Sequence, residues 1–487
     1  MPEINSIEAG NFINGQLHSV APENLEVISP LSGEVMGSVN LSTAKDLELA
    51  VASARGALEE WSSRTLKERV EVFYNLRSLL IQHEEELTNI IHLENGKTRG
   101  EAKAEVLKAI ELTEFACSLP QIINDEVQEV SKGVECRSSH VPLGIVASIV
   151  PFNFPLMVPM WSIPNALALG NCMILKPSEQ VPFTMHKVAG LFKEAGLPNG
   201  VFNIVNGDRD IVEAICDHPE IAAVSFVGST KIAKLTYQRA TGNLKRCLAL
   251  GGAKNHLIVL PDADAETAAA NITTSMSGCA GQRCMAASAM VAVGSVNGII
   301  DKICDEARKV IPGESLGSVI SKEAKERIER YITEAERAGA KILVDGRGTV
   351  VPGSEGGYYV GPTIIDQVTP DMAIAKEEVF GPVLAILRTE NVDEAIKIEN
   401  SSNYGNASSV FTQNGAMADY VTERVSVGMV GVNIGVPVPR EPFSFGGWNQ
   451  SRFGVGDITG KSSIEFWTKL KKTTTKWESK AWTNWMS

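Results

Sequence analysis

The sequence contains few cysteines and histidines, and it lacks the spacing at which these residues bind metal ions. Its 487 residues include eight cysteines and seven histidines, with no Cys-x-x-Cys pair and no histidine at metal-ligand spacing from a cysteine. This absence argues against a zinc site, a dithiol redox motif and a small disulfide-held scaffold. We therefore expect no metal ion, and we expect reduced, buried thiols for all of the cysteines but one.

Basic residues are also fewer than acidic residues. There are 45 lysines and arginines against 58 aspartates and glutamates, which gives a net charge of −13. A surface this acidic repels the phosphates of nucleic acids and anionic lipid headgroups unless a local basic patch is present. The basic run at residues 469–472 is predicted to be the solvated face of a strand. Neither nucleic acid nor a membrane surface is therefore expected as a partner.

A long uninterrupted apolar run is missing as well. Residues 141–161 are nearly all apolar, but a membrane-spanning helix cannot lose the backbone donors that prolines remove. The interrupting residues are Pro142, Pro151, Pro155 and Pro159. We predict a buried strand followed by a loop. The first residues lack the basic start and apolar stretch of a signal peptide, so we expect a cytoplasmic protein.

The length of the chain suggests about three domains. Helical periodicity dominates its first part. Apolar residues at helical spacing predict two opening helices, the second preceded by a capping box of Thr65 and Glu68. A further helix is predicted after Gly100, with Val106 on its core stripe. Lys108 lies about 200° from Val106 around that helix and therefore on another face.

From residue 141 onward, strands alternate with helices. This pattern predicts a doubly covered parallel sheet, whose ligand sites lie at the carboxyl ends of its strands. The predicted strands span residues 144–150, 171–176, 201–205 and 222–227. A second alternation over residues 249–432 predicts a second α/β domain. Strand-like alternation with three tryptophans over residues 463–486 is typical of an intersubunit strand, or of one that packs on its own chain.

The usual Gly-x-Gly-x-x-Gly motif for dinucleotides is absent, but two strand ends carry groups suited to a nucleotide. Gly228 and Ser229 follow an apolar strand and open a helix, so that free backbone N–H groups form an anion site suited to pyrophosphate. Lys176 and Glu179 follow another strand, where they could bind ribose hydroxyls and disfavour a 2′-phosphate. An ordinary strand–helix turn and a surface ion pair are the respective alternatives.

Three further segments carry groups suited to chemistry. Cys284 follows a glycine-rich bend and is predicted to open a helix, where the helix N-terminus and Arg283 would lower the pKa of its thiol. Asn153 lies in a proline-flanked loop just after a strand, and its amide could donate to an oxyanion. Glu378 and Phe380 precede a Gly-Pro turn. Taken singly, each segment could equally be structural.

In this order and spacing, these segments resemble the aldehyde dehydrogenase superfamily across nearly the whole chain. The resemblance implies that Cys284 is the nucleophile and that Asn153, with the backbone N–H of Cys284, forms an oxyanion hole. It also implies an NAD site, whose contacts would be Phe152, Lys176, Glu179, Gly228, Ser229, Glu378 and Phe380.

The same resemblance implies an α/β architecture with three parts. A Rossmann-type NAD domain would comprise residues 1–122 and 142–248, and an α/β catalytic domain would comprise residues 249–445. A small β-extension, residues 123–141 and 463–487, would build homodimers or homotetramers.

The sequence departs from the hydrolytic members of that family at one position. Those members carry a glutamate before Leu-Gly-Gly, where it activates the deacylating water, whereas this sequence has Ala249. Without that base, a thioester should hydrolyse slowly and another nucleophile is implied. The segments Gly-Ala-Lys-Asn-His, Ala-Gly-Gln-Arg-Cys-Met-Ala and Asn-Ile-Gly-Val-Pro-Val-Pro resemble the CoA-acylating methylmalonate-semialdehyde dehydrogenase subgroup, in which coenzyme A is that nucleophile.

Substrates of that subgroup are short aldehydes with a carboxylate. By resemblance, Arg283 is a carboxylate-binding arginine, whereas the subgroup's second arginine is replaced here by Lys108. Arg440 adds a cation in a proline-rich loop. Because lysine lacks the bidentate fork of arginine, the identity of the anionic group stays open. Plain surface charge is the alternative for Lys108 and Arg440.

The resemblance thus implies NAD-dependent oxidation of malonate or methylmalonate semialdehyde through a thioester on Cys284. Transfer to coenzyme A and β-decarboxylation would give acetyl-CoA or propanoyl-CoA. One alternative is oxidation of another anionic aldehyde, for example a sulfonated one, to the free acid, with water activated by a group such as Glu378. The other is a non-catalytic binding or structural protein, which would tolerate loss of Cys284 or Asn153; both are present.

Overall fold

Two large sheets organise the chain, which the computed structural model describes at residues 7–18 and 23–477. The first sheet has eight strands, of which the five central ones run parallel. In order across the sheet, the strands are β22 (Arg452–Phe453), β12 (Arg246–Leu250), β11 (Ile221–Val227), β8 (Ile145–Ile149), β9 (Cys172–Lys176), β10 (Phe202–Ile204), β2 (Asn11–Ile13) and β3 (Gln16–His18).

The order of these strands creates a crevice in the first sheet. From β8 the chain moves to β9 and β10 on one side, and it then returns to β11 and β12 on the other side. Loops that leave β8 and β11 therefore diverge, which is the arrangement that binds ligands in open α/β sheets. Every residue of β8 and β9 is buried, as expected for central strands covered on both faces.

Eight helices cover this sheet among the described residues. They are α1 (Ala44–Ser63), α2 (Leu66–Gln82), α3 (Glu84–Asn95), α4 (Arg99–Ile122), α5 (Met157–Ala168), α6 (Phe183–Glu194), α7 (Arg209–Asp217) and α8 (Thr230–Gly242). The capping box of Thr65 and Glu68 is confirmed. The expectation of only two helices before Gly100 is wrong, since α3 lies between them and α4. Its acidic first turn, Glu84 to Glu86, is a helix-start signal that the sequence carries.

The second sheet has seven strands, all parallel except β15 at one edge. In order they are β15 (Lys341–Val344), β16 (Thr363–Asp366), β17 (Val383–Thr389), β14 (Ala287–Val293), β13 (Asn255–Val259), β19 (Ala407–Phe411) and β20 (Met429–Val432). Its helices are α9 (Ala265–Ser277), α10 (Asn297–Lys309), α11 (Lys322–Arg337), α12 (Ala373–Lys376), α13 (Val392–Asn400) and α14 (Gly415–Thr422). The two sheets confirm the predicted α/β class.

Three small sheets complete the structure. An N-terminal sheet contains β1 (Ile7–Ala9), β4 (Glu23–Ile28) and β5 (Val35–Leu41), and a two-stranded sheet pairs β18 (Tyr404–Gly405) with β21 (Trp448–Asn449). A third sheet is antiparallel and is formed by β6 (Glu126–Ser131), β7 (Val134–Pro142) and β23 (Thr468–Lys476). The described parts of the two predicted extension segments, 123–141 and 463–487, thus meet within one chain, where β23 pairs with β7.

The tail is only partly the strand that its alternation predicts. Ser463–Trp467 forms a short helix, α15, whose apolar side chains are buried in the core beside the first sheet. Thr468–Lys476 is a strand with mostly exposed side chains, which confirms the solvated face expected at residues 469–472. Two of the three tail tryptophans, Trp482 and Trp485, lie outside the described residues.

The apolar run at residues 141–161 divides among several elements. It contains the end of β7, all of β8, a loop and the first turns of α5. Among residues 7–18 and 23–477, no helix is long and apolar enough to cross a membrane.

Asn171 joins three of these elements at a fully buried position. Its Oδ1 accepts from the backbone N–H groups of Leu143 (2.8 Å) and Gly144 (3.1 Å), which precede β8. Its Nδ2 donates to the carbonyl oxygens of Ala166 in α5 and Trp467 in α15, both at 2.9 Å. One amide therefore satisfies four backbone groups, of which the two carbonyl acceptors are fully buried.

We expect Asn171→Ala to lower the free energy of unfolding by roughly 2–4 kcal/mol, because the buried carbonyl of Trp467 and the part-buried N–H groups of Leu143 and Gly144 lose their partner. Urea denaturation followed by circular dichroism measures the change. The matched control is Asn243→Ala, since the Asn243 amide also bonds to three groups but is exposed. Equal losses in the two variants would contradict this role for Asn171.

Candidate active site

A cavity of about 1180 Å³ lies where the two large sheets face each other. Its size suits a large ligand together with a small one. All of the candidate catalytic, cofactor-binding and anion-binding residues line it: Lys108, Phe152, Asn153, Lys176, Glu179, Gly228, Ser229, Arg283, Cys284, Glu378, Phe380 and Arg440. The structure therefore brings together residues from segments more than 300 positions apart.

The two sheets contribute opposite strand ends to this cavity. Asn153 and Gly228 follow β8 and β11, and Lys176 ends β9, so all three lie at the carboxyl edge of the first sheet. Cys284 and Glu378 instead precede β14 and β17, at the amino edge of the second sheet. The expectation of sites at carboxyl ends thus describes only the first sheet.

Cys284 lies in a turn that leads into β14, and the prediction that it opens a helix is wrong. The glycine-rich bend before it is a short 3₁₀ turn, Gly278–Gly281, in which Cys279 and Ala280 adopt positive φ. The carbonyl oxygen of Cys284 accepts from the side-chain amides of Asn255 (2.7 Å) and Asn406 (2.9 Å). These two amides fix the backbone on which the thiol is carried.

The backbone of the same turn lies in close contact with the loop that follows Glu378. A Cβ atom built at Gly281 would lie 2.0 Å from the carbonyl oxygen of Gly381. No side chain fits there, so glycine is required at position 281.

The thiol of Cys284 is not activated in the way that the sequence suggests. Burial raises the pKa of Cys284 to about 12, and the negative charge of Glu378 acts in the same direction. Arg283 lowers this pKa only weakly. The Nε of Arg283 donates to Sγ of Cys279 at 3.3 Å, and its Nη2 lies 3.6 Å from Glu101. The predicted lowered pKa is therefore wrong, because burial outweighs the arginine and the helix N-terminus is absent.

Asn153 lines the same cavity and is hydrogen-bonded to the turn that carries Cys284. Its Nδ2 donates to the carbonyl oxygen of Gln282 at 2.9 Å, and the second hydrogen of the same amide remains for another acceptor. Gln282 is anchored in turn, because its Oε1 accepts from the backbone N–H of Ile320 at 2.9 Å. The amide of Asn153 is thus oriented by the segment that carries the nucleophile.

A buried ion pair that the sequence analysis missed supports the Asn153 loop. Lys97 Nζ lies 2.5 Å from Glu105 Oε2 and donates to the carbonyl oxygen of Asn153 at 2.9 Å. Glu105 Oε1 accepts from the backbone N–H groups of Leu156 (2.8 Å) and Met157 (3.0 Å). Helical spacing could have indicated Glu105, because it falls on the same face of α4 as the cavity-lining residues 101, 104 and 108.

Groups suited to a nucleotide line the other end of the cavity. Helix α8 begins after Ser229, whose side chain makes no capping hydrogen bond. Lys176 Nζ donates to Glu179 Oε2 at 2.7 Å, so the two side chains form an ion pair at the end of β9, in which Lys176 is buried and not at the surface as the alternative supposed. Phe152 and Phe380 pack edge to face with ring centroids 5.9 Å apart.

Glu378 is a half-buried carboxyl group whose pKa is raised. Burial raises the pKa of Glu378 to about 7, although the N–H of Ala253 donates to its Oε1 at 2.9 Å and Lys254 lies nearby. The loop that carries Ala253 leaves β12, which contains Ala249. The methyl side chain of Ala249 is fully buried and offers no acid–base group.

Each of the three expected anion-binding cations faces a carboxylate. Besides the contact between Arg283 and Glu101, Lys108 Nζ lies 2.7 Å from Glu441. Arg440 is mostly exposed and lies 3.8 Å from Glu111. The substrate end of the cavity is therefore close to charge balance. Within the described part of the chain, no group of three or more His, Cys, Asp or Glu side chains could hold a metal ion.

Comparisons with known proteins agree with this geometry. The model of the aldehyde dehydrogenase family matches residues 18–473. Malonate-semialdehyde dehydrogenases of Listeria innocua and Bacillus velezensis are 43% and 42% identical to this chain, covering 97% and 98% of it and 98% and 99% of their own lengths.

Solved structures are similar over the same extent. The crystal structure of methylmalonate-semialdehyde dehydrogenase from Oceanimonas doudoroffii is 41% identical, with a TM-score of 0.95 over 98% of this chain and 99% of that one. A Sinorhizobium meliloti protein crystallised with NAD is 42% identical, with a TM-score of 0.96 over 97% of this chain and 99% of that one.

The raised pKa of Cys284 predicts slow alkylation that accelerates with pH. Since pH 7 to 9 lies below a pKa of about 12, the thiolate fraction should rise about tenfold per pH unit. Glu378→Gln removes a negative charge that raises this pKa, so we expect roughly threefold faster alkylation at pH 8. Iodoacetamide labelling with peptide mass mapping measures the rate at Cys284.

The exposed neighbour Glu377 supplies the control, and Glu377→Gln should leave the rate nearly unchanged. A rate plateau already reached below pH 8, or slower alkylation in Glu378→Gln, would contradict this description of the thiol.

Proposed function

Because the chain belongs to the aldehyde dehydrogenase family, we propose that it oxidises a short carboxylated aldehyde with NAD and transfers the acyl group to coenzyme A. Malonate semialdehyde and methylmalonate semialdehyde are the substrates that the similarity favours. β-Decarboxylation then yields acetyl-CoA or propanoyl-CoA.

One observation carries the choice of coenzyme A over water. Ala249 stands where hydrolytic relatives would need a glutamate, and its side chain is a buried methyl group. A deacylating water therefore lacks a base at position 249, and a thiol is the better acyl acceptor.

The residues at the nucleotide end fit NAD. The free N–H groups at the start of α8, next to Gly228 and Ser229, suit its pyrophosphate. Lys176 and Glu179 suit the hydroxyls of the adenosine ribose, and the carboxylate of Glu179 disfavours a 2′-phosphate. Phe152, Phe380 and Glu378 border the space for the nicotinamide end. The chemistry that NAD supplies when bound is acceptance of a hydride.

The chain's own residues would act on the aldehyde as follows. Sγ of Cys284 forms a bond to the carbonyl carbon, and the thiol proton is lost to solvent in the cavity. The free hydrogen of the Asn153 amide and the N–H of Cys284 donate to the resulting oxyanion. After oxidation, the thiolate of coenzyme A attacks the thioester carbonyl and frees Cys284.

We also propose roles for the parts of the chain. The first sheet and its helices bind NAD, with β12 included because Ala249 and Leu250 complete that strand. The second sheet carries the nucleophile. The sheet of β6, β7 and β23 exposes Val127, Val130 and Leu470, and this apolar surface supports assembly of a homodimer or homotetramer.

Glu378 supports a second candidate function, because a carboxyl group with a pKa of about 7 would suit a general base for water. In that case the protein would oxidise another anionic aldehyde, such as a sulfonated one, to the free acid without coenzyme A.

We expect NADH formation from malonate semialdehyde to require coenzyme A and to yield an acyl-CoA product. Absorbance at 340 nm with mass analysis of products measures this, and methylmalonate semialdehyde and a sulfonated aldehyde complete the series. Cys284→Ala should abolish turnover, and Asn153→Ala should lower kcat by about 10²–10³. Turnover to a free acid at the same rate without coenzyme A would contradict the acylating mechanism and favour the second function.

A further inference from the structure

Lys108 is already engaged at the substrate end of the cavity. Its Nζ lies 2.7 Å from Glu441 Oε2 and 3.1 Å from Glu111 Oε2. Both Lys108 and Glu441 line the main cavity, and their side chains are only 20% and 15% exposed. Glu111 lines a neighbouring hollow instead. Lys108 is therefore paired with two carboxylates before any substrate anion binds.

Arg283 differs from Lys108 because it still has hydrogen-bond donors available for a ligand. Its guanidinium carries five N–H donors, of which one bonds to Cys279. Glu101 lies 3.6 Å from Nη2, which is too long for a direct hydrogen bond. Donors of Arg283 therefore remain for a carboxylate. Arg440 is 80% exposed, and at that exposure its charge is screened by solvent.

We propose that Glu441 determines which anionic aldehydes bind, because it occupies Lys108 and leaves Arg283 to bind the substrate's single carboxylate. The inference rests on the proposed function and adds a selection against substrates with a second anionic group. Such a group would lie near the negative charge of Glu441, and specificity of this kind comes from repulsion as well as attraction.

Glu441→Gln should leave Lys108 paired with Glu111 alone and make it more available to a substrate anion. We expect the KM for malonate semialdehyde to fall about fivefold, which corresponds to about 1 kcal/mol of added binding. The KM for propanal, which carries no charge, should not change. Steady-state NADH formation with both aldehydes at saturating NAD and coenzyme A measures the ratio of the two KM values.

Glu111→Gln is the matched control, because Glu111 also contacts Lys108 but lies outside the main cavity. A change of the KM ratio as large as in Glu441→Gln would show that net charge alone acts, and would overturn the proposal. Adding Lys108→Met to Glu441→Gln should abolish the gain. In the parent protein, Lys108→Met should raise the KM for malonate semialdehyde less than Arg283→Met does.

The two proposals fail in different ways. If the parent protein forms no acyl-CoA from any aldehyde tested, the proposed function fails. If it does, but Glu441→Gln leaves the KM ratio unchanged, the role of Glu441 alone is overturned. The unfolding temperature and the KM for propanal report whether the variant is folded, and Glu441→Ser serves as a second variant with the same expected direction.

Discussion

The buried ion pair between Lys97 and Glu105 ties together the segments that meet at the nucleophile. Two charges without solvent contact are costly to desolvate, and such a pair persists only where other hydrogen bonds complete it. Here the carbonyl of Asn153 and the N–H groups of Leu156 and Met157 do so. The loop after β8 contains prolines and cannot satisfy its own backbone. The pair therefore fixes a loop that secondary structure alone would leave undefined.

The opposed sheets explain why charge is so closely balanced in the cavity. Carboxyl ends of strands from one sheet and amino ends from the other line a common space, and each edge contributes acidic and basic side chains. Cys284 and Glu378 are desolvated in that space, so the pKa of the thiol and the pKa of the carboxyl both rise. Burial, more than any single neighbouring charge, sets the protonation states before substrate binds.

Much of the fold and the membership of the site could be predicted from the sequence. Strands such as β8 and β9 are long apolar runs, and their ends carry the polar residues that line the cavity. The setting of Cys284 could not be predicted, because positive φ values in the preceding turn direct the chain into a strand instead of a helix. The contact between Lys108 and Glu441 joins residues 333 positions apart, which no local pattern contains.

The contact between Gly281 and Gly381 restricts how this site can change during evolution. The turn before the nucleophile and the loop after Glu378 meet backbone to backbone. No side chain lies between them that could be replaced by a smaller one or adopt another rotamer. A change in the backbone position of one loop therefore requires a compensating change in the other loop before the cavity can change shape. Diversification of substrate preference is expected to arise on the opposite wall, where α4 and the loop carrying Glu441 meet through flexible side chains.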